Sequence, residues 1–113
     1  GKEVYPNGNV YCASKHAVDA LTNGMRMDLN PFGIKVMGIH PGLVETEFSL
    51  VRFKGDEKRA ETVYQGYAPL VAQDIADIVE FALTRPPHVV LADVGVLPTA
   101  QASATVIKKK LPQ

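Results

Sequence analysis

Asn30-Pro31-Phe32-Gly33-Ile34-Lys35-Val36-Met37-Gly38-Ile39-His40-Pro41-Gly42 decides the fold. Its first four residues read as a helix stop: proline disfavours helical geometry at Asn30, and glycine tolerates the left-handed exit. Ile34 to His40 is apolar enough to be buried on at least one face and reads as a strand closed by Pro41-Gly42. Upstream, Pro6-Asn7-Gly8-Asn9 is a cluster of turn formers whose last Asn is placed to cap a helix through its side-chain oxygen. A helix is therefore predicted from about Val10 to Asn30. Val18, Leu21, Met25 and Leu29 recur at spacings of three and four, a core-facing stripe. Ala13, Ala17, Ala20 and Gly24 form a second face of small residues that another backbone could approach, or record helix propensity alone. Helix, tight turn, strand, tight turn is the pattern of an α/β protein.

Outward from this unit the pattern weakens and then resumes. From Leu43 to Ala72 charge accumulates in Arg52, Lys54, Asp56, Glu57, Lys58, Arg59 and Glu61. That stretch reads as a mobile excursion, and long excursions within compact domains are usually functional. Gln73 to Thr84 is a second predicted helix, with Ile75, Ile78, Val79, Ala82 and Leu83 on one side, ended by Arg85-Pro86-Pro87. A last strand is expected over roughly Val89 to Leu97, followed by a small-residue tail. The fold class is α/β: two clear strands with flanking helices, parallel neighbours in a doubly wound sheet.

Composition excludes several classes. The 113 residues carry 12 Lys+Arg against 12 Asp+Glu, and a net charge of zero gives no means of concentrating phosphates, so neither nucleic acid nor a membrane surface is an expected partner. No apolar run approaches the ~20 residues that cross a bilayer, and the start lacks the apolar stretch of a signal peptide. A cytoplasmic location is the expectation. Cys12 stands alone, which leaves no internal disulfide and reads as packing. His16, His40 and His88 are not at metal-ligand spacing, so no metal is expected.

Tyr11 and Lys15 are four apart on the first helix and share a face. A phenol titrates near ~10 and is a poor acid–base group at neutral pH, but a nearby ammonium favours its ionised form. The pair is thus a candidate proton donor and acceptor. Spacing alone equally fits an amphipathic helix with a half-buried Tyr and a solvated Lys.

The surroundings of the pair carry more. Tyr11-Cys12-Ala13-Ser14-Lys15 resembles the Tyr-x-Ala-Ser-Lys signature of the short-chain dehydrogenases/reductases, and Pro41-Gly42-Leu43-Val44-Glu45-Thr46 resembles their Pro-Gly-x-Val-x-Thr segment. The two stand in the family's order and at its usual separation, and the resemblance covers nearly the whole chain. Thr46-Glu47-Phe48-Ser49, Val51 to Asp56 and Pro98-Thr99-Ala100-Gln101 are similar to the branch that oxidises serine and related 3-hydroxy acids with NADP and reduces malonic semialdehyde.

The resemblance implies a role for each matching position. Tyr11 would be the acid in carbonyl reduction and the base in alcohol oxidation; Lys15 would favour the ionised Tyr11 and hydrogen-bond the nicotinamide ribose. Pro41, Gly42, the backbone around Val44, and Thr46 would hold the nicotinamide amide. Arg52 is the candidate for a substrate carboxylate, because a guanidinium makes two parallel hydrogen bonds to one; Lys54 and Arg59 compete for that role, and a solvated loop charge is the plain alternative. His40, before Pro-Gly, lines the cofactor or is a strand-end His satisfied by backbone. NADP is the implied cofactor, with NAD left open. A small hydroxy acid or carbonyl compound is the implied substrate, and a homo-oligomer, a tetramer, the implied assembly.

The family's glycine-rich turn and catalytic serine have no counterpart here; the resemblance places both upstream of Gly1. The chain therefore reads as the carboxyl-terminal half of a Rossmann-like dehydrogenase domain, expected to be inactive and unstable or self-associating by itself. Two other readings stand beside it: an inert module assembling through its first helix, and a family member acting on another alcohol or ketone.

Overall fold

The computed structural model describes residues 8–46 and 65–110. The chain forms two compact units, Gly1–His40 with Phe81–Gly95, and Pro41–Glu80 with Val96–Gln113. Its elements are α1 (Asn9–Leu29), a 3-10 turn (Asn30–Phe32), β1 (Gly38–Pro41), β2 (Val44–Glu45), β3 (Leu70–Val71), α2 (Ala72–Leu83) and β4 (Asp93–Val96). The strands form two pairs, β1 with β4 and β2 with β3. Gly38 N–H donates to the Ala92 carbonyl and Gly42 N–H to that of Val96. Both partners advance by four residues, so β1 and β4 run parallel, and β2 and β3 are parallel too, with Val44 opposite Leu70. The two expected strands are present, shorter than foreseen, and a second pair joins them.

In the first unit, α1 begins one residue earlier than expected. Gly8 occupies the N-cap position without any side-chain cap, and its carbonyl accepts the Cys12 N–H at 2.8 Å. Asn9 is already helical, which corrects the expectation that its side chain would cap. Pro31 does not expel Asn30 from helical geometry either: Asn30 has φ −53° and ψ −44°. The chain tightens into the 3-10 turn, whose first residues need no N–H donor and so accept proline. Gly33 then makes the stop, at φ 68° and ψ 22°, with its N–H on the Asn30 carbonyl.

Arg26 explains why β1 starts at Gly38 rather than Ile34. Its Nε donates to the Val36 carbonyl at 3.0 Å, its Nη2 to the Ala92 carbonyl at 2.6 Å, and its Nη1 to Asn23 Oδ1 at 2.8 Å. The Val36 carbonyl thus bonds a side chain and the segment before Gly38 is held by Arg26, while the Ala92 carbonyl accepts both Arg26 and the Gly38 N–H of the ladder. Lys35 adds a bond from Nζ to the Pro86 carbonyl at 2.7 Å.

Of the expected core stripe Leu29 is half-buried, but the other three residues are not. Val18 and Leu21 are 55% and 65% exposed, and Met25 is exposed as well. A 21-residue helix is about 31 Å long, whereas a four-residue strand spans about 13 Å; two such strands cannot cover it. Cys12, 4% exposed, is the buried apolar side chain of α1, in keeping with its reading as packing.

The helix start at α2 also departs from expectation. Val71 and Ala72 offer no hydroxyl cap, but the Val71 N–H donates to Asp74 Oδ2 at 2.8 Å. This is the back-reaching half of a capping box, and the carboxylate also complements the helix dipole. Ile75, Ile78 and Ala82 are half-buried. Leu83 is exposed, against expectation, because the helix ends there.

In the second unit the tail folds back on itself. Gln101 N–H donates to the Pro98 carbonyl, Ala102 N–H to Val106, and Lys108 N–H to Ala100, and Gln101 pairs with Ile107 in an antiparallel bridge. Lys110 N–H reaches the carbonyl of Gly66. No helix among the described residues is long and apolar enough to cross a membrane.

Candidate active site

The first unit presents Tyr11 and Lys15 one turn apart on α1, both exposed, with the Lys15 ammonium 5.3 Å from the centroid of the Tyr11 ring. A cation over a ring face is attracted by the ring quadrupole, so the pair is preformed. Ser14 Oγ donates to the Tyr11 carbonyl at 2.7 Å, which turns that hydroxyl back on the helix.

The histidines sort as follows. His16 Nδ1 lies 2.7 Å from the Cys12 carbonyl; since a carbonyl only accepts, Nδ1 carries the hydrogen, and the ring is occupied along its own helix. His88 is exposed. His40 is not satisfied by backbone, which corrects the expectation for it: its Nε2 donates to Asp93 Oδ1 at 2.9 Å and stands 3.9 Å from Asp19 Oδ1. Asp19, His40 and Asp93 come from α1, β1 and β4, and their ligand-capable atoms lie within 4.8 Å of one another. The contact explains Gly38. A Cβ there would stand 2.9 Å from His40 Nε2 and 3.0 Å from Asp93 Oδ1, so the glycine makes room for the pair. Gly38 and His40, two apart on a strand, share one face. This is the signal that points to it.

An open cleft of about 370 Å³ in the same unit is lined by Lys35, Met37, Leu83, Arg85, Val90 and Leu91 among others. Its two cations are already engaged, Lys35 on the Pro86 carbonyl and Arg85 on that of Phe81, and none of the expected site residues lines it.

The second unit holds Pro41, Gly42, Val44 and Thr46. Gly42 N–H donates to the Val96 carbonyl at 2.6 Å, and the Leu43 carbonyl accepts the Leu70 N–H at 3.0 Å. Leu43 N–H donates to Gln101 Oε1 at 2.9 Å. The turn is thus held by β4, β3 and the tail. Gly42 admits no side chain: a Cβ would run into the Gln101 carboxamide and come within 2.9 Å of Leu97 Cδ2. The sequence singles out the turn and places Gln101 only within the Pro98-to-Gln101 resemblance, with no role at the turn that it contacts from 58 residues away. Arg52 lies outside the described residues, as does most of the expected substrate loop 43–72.

The profile of the family described as short chain dehydrogenase matches residues 1–56. Over 110 residues the chain is 44% identical to an NADP-dependent 3-hydroxy acid dehydrogenase of Schizosaccharomyces pombe, covering 97% of this chain and 42% of that protein. Over 102 residues it is 40% identical to sulfoacetaldehyde reductase 2 of Chromohalobacter salexigens, covering 90% and 40%. Among solved structures, the closed form of serine dehydrogenase complexed with NADP+ superposes with a TM-score of 0.87 at 38% identity, over 98% of this chain and 45% of that one. The chain spans about two fifths of the length of the curated relatives it matches.

Proposed function

The chain belongs to the short-chain dehydrogenase family, and on that premise we propose that its protein transfers a hydride between NADP(H) and a 3-hydroxy acid of the serine or 3-hydroxypropionate type. The observation that carries this reading is the Tyr11 phenol beside the Lys15 ammonium on one exposed turn of α1. Relatives whose names specify NADP and 3-hydroxy acids support it.

The donor set suits a nicotinamide nucleotide. Lys15 offers an ammonium and Tyr11 a hydroxyl, both fit partners for ribose hydroxyls. On the turn, Pro41 and Gly42 would set the backbone, and the Val44 backbone and the Thr46 side chain would hold the carboxamide, as in the family's Pro-Gly-x-Val-x-Thr segment. A bound nicotinamide supplies the hydride donor or acceptor. In oxidation Tyr11, as phenolate, takes the hydroxyl proton while the carbon-bound hydrogen leaves with its electron pair; in reduction the Tyr11 hydroxyl gives its proton to the new alkoxide. Arg52 would hold the substrate's anionic end. A guanidinium accepts a sulfonate as readily as a carboxylate, which keeps sulfonate substrates as a second reading, favoured by the similarity to sulfoacetaldehyde reductase 2. The exposed Val18, Leu21 and Met25 suit cover by the rest of the domain or by a second subunit of a homo-oligomer.

The test is Tyr11→Phe in the intact protein, assayed with NADP+ against serine, 3-hydroxypropionate, a hydroxyalkanesulfonate and a bulky secondary alcohol. Loss of an acid–base group should lower kcat by about 10² to 10⁴ while NADPH binding, held chiefly by Lys15 and the turn, stays nearly intact. Undiminished turnover overturns the role of Tyr11. An intact protein that never perturbs NADPH fluorescence overturns the enzyme and favours an assembly module.

A further inference from the structure

We propose that Gln101 is a positioning residue of the cofactor turn: its carboxamide fixes the Gly42-Leu43 peptide and, through it, the Val44 backbone and Thr46. This rests on the reading that Pro41 to Thr46 receives the nicotinamide carboxamide. Gln101 is 8% exposed and is the buried polar side chain among the described residues. A buried primary amide is costly unless both of its ends are hydrogen-bonded. Both are: Oε1 accepts the Leu43 N–H at 2.9 Å, and Nε2 donates to the Ser103 carbonyl at 3.1 Å.

The Leu43 N–H needs such an acceptor. The parallel ladder of β1 with β4 reaches Gly42 N–H on Val96, and the next link on the other side is the Leu43 carbonyl on Leu70 N–H. Between these, the N–H of the peptide joining Gly42 to Leu43 is taken by the Gln101 carboxamide. Gly42 is a glycine for the same reason, since a Cβ would occupy the space taken by the carboxamide and Leu97. Gln101 is itself rigidly mounted. Its own N–H is on the Pro98 carbonyl, it pairs with Ile107, and Ser103 Oγ accepts the N–H groups of Thr105 and Val106. The folded tail therefore acts as a bracket for one peptide of the turn.

The test separates this role from mere support of the tail. In the intact protein, Gln101→Met keeps the length and loses the acceptor, whereas Gln101→Glu keeps the acceptor towards Leu43 and loses the donor to Ser103. Two ligands are titrated: NADP+, and 2′-phospho-ADP-ribose, which lacks the nicotinamide. A buried N–H left unpaired should weaken NADP+ by about tenfold or more in Gln101→Met, leave 2′-phospho-ADP-ribose within twofold, and leave the ratio of the two affinities in Gln101→Glu close to that of the wild type. Equal weakening of both ligands, unaltered NADP+ binding in Gln101→Met, or a Gln101→Glu protein as impaired as Gln101→Met overturns the assignment. If Gln101→Met does not fold, Gln101→Asn, which draws the acceptor back from the Leu43 N–H by one methylene, takes its place in the same two titrations. A wild-type protein that binds the two ligands with equal affinity overturns the reading of the turn itself, whatever the variants do.

Discussion

The Lys15 ammonium lies over the face of the Tyr11 ring, 5.3 Å from its centroid, one helical turn along α1. The two residues are therefore a unit before any ligand arrives, yet they differ in what they offer one. Tyr11 brings a transferable proton, and Lys15 brings a fixed charge and three donors.

This difference separates their variants. Lys15→Met should lower both cofactor affinity and kcat in the intact protein, whereas Tyr11→Phe should lower kcat alone. Fluorescence titration with NADPH beside steady-state rates makes the split visible. Identical profiles for the two variants would count against distinct roles.

Arg26 fastens the end of α1 to the backbone at Val36 and Ala92. A hydrogen bond to a charged group contributes about 1.5–3 kcal/mol, and solvent access to part of this guanidinium argues for the lower end. Arg26→Ala should cost about 2 kcal/mol, and Arg26→Lys, which keeps one donor direction, about half. Urea denaturation of the intact protein reads this as a shift in midpoint at constant slope. An unmoved midpoint would show that the bonds are replaced by water at no loss.

The His40–Asp93 pair calls for a double-mutant cycle. His40→Ala and Asp93→Ala each remove the bond, while the double variant removes it once. Half-exposed partners suggest a coupling of about 1 kcal/mol. Gly38→Ala should destabilise more than either, because a Cβ meets His40 Nε2 at 2.9 Å. A Gly38→Ala protein as stable as wild type would contradict the close packing around that pair.

These ties also explain what a linear reading finds and misses. The helices, the Gly33 stop and the turn Pro41-Gly42 follow from local preferences, so their sequence pattern suffices. The strand bounds do not. β1 begins late because Arg26, ten residues upstream, takes the Val36 carbonyl, and the turn is held by Gln101 from 58 residues downstream. Neither contact leaves a periodic trace. Asp74 shows the local version of the same gap: a missing hydroxyl at the start of α2 is made good by a carboxylate three residues on, which a search for N-cap residues alone overlooks. Tyr11 and Lys15 were legible because helical spacing alone brings them together, whereas Asp19, His40 and Asp93 meet only through the fold.

Two glycines finally set opposite expectations. At Gly42 the space for a Cβ is taken by Gln101 and Leu97; at Gly24 nothing lies within 4 Å. Gly42→Ala must push the carboxamide or the backbone aside, an overpacking cost of about 1–3 kcal/mol, with weaker NADP+ binding as the turn shifts. Gly24→Ala, in a helix interior, should instead stabilise by about 0.5–1 kcal/mol, since alanine loses less backbone entropy on folding. Thermal melts with sizing chromatography decide both. The Gly24 result bears on assembly as well. Gly24 lies on the face with Ala13, Ala17 and Ala20, and a second backbone packed closely there would leave no room for a methyl group. A Gly24→Ala protein that gains stability and keeps its oligomeric state assigns assembly to another surface, such as the exposed stripe of Val18, Leu21 and Met25. One that loses both would place the contact on the small-residue face.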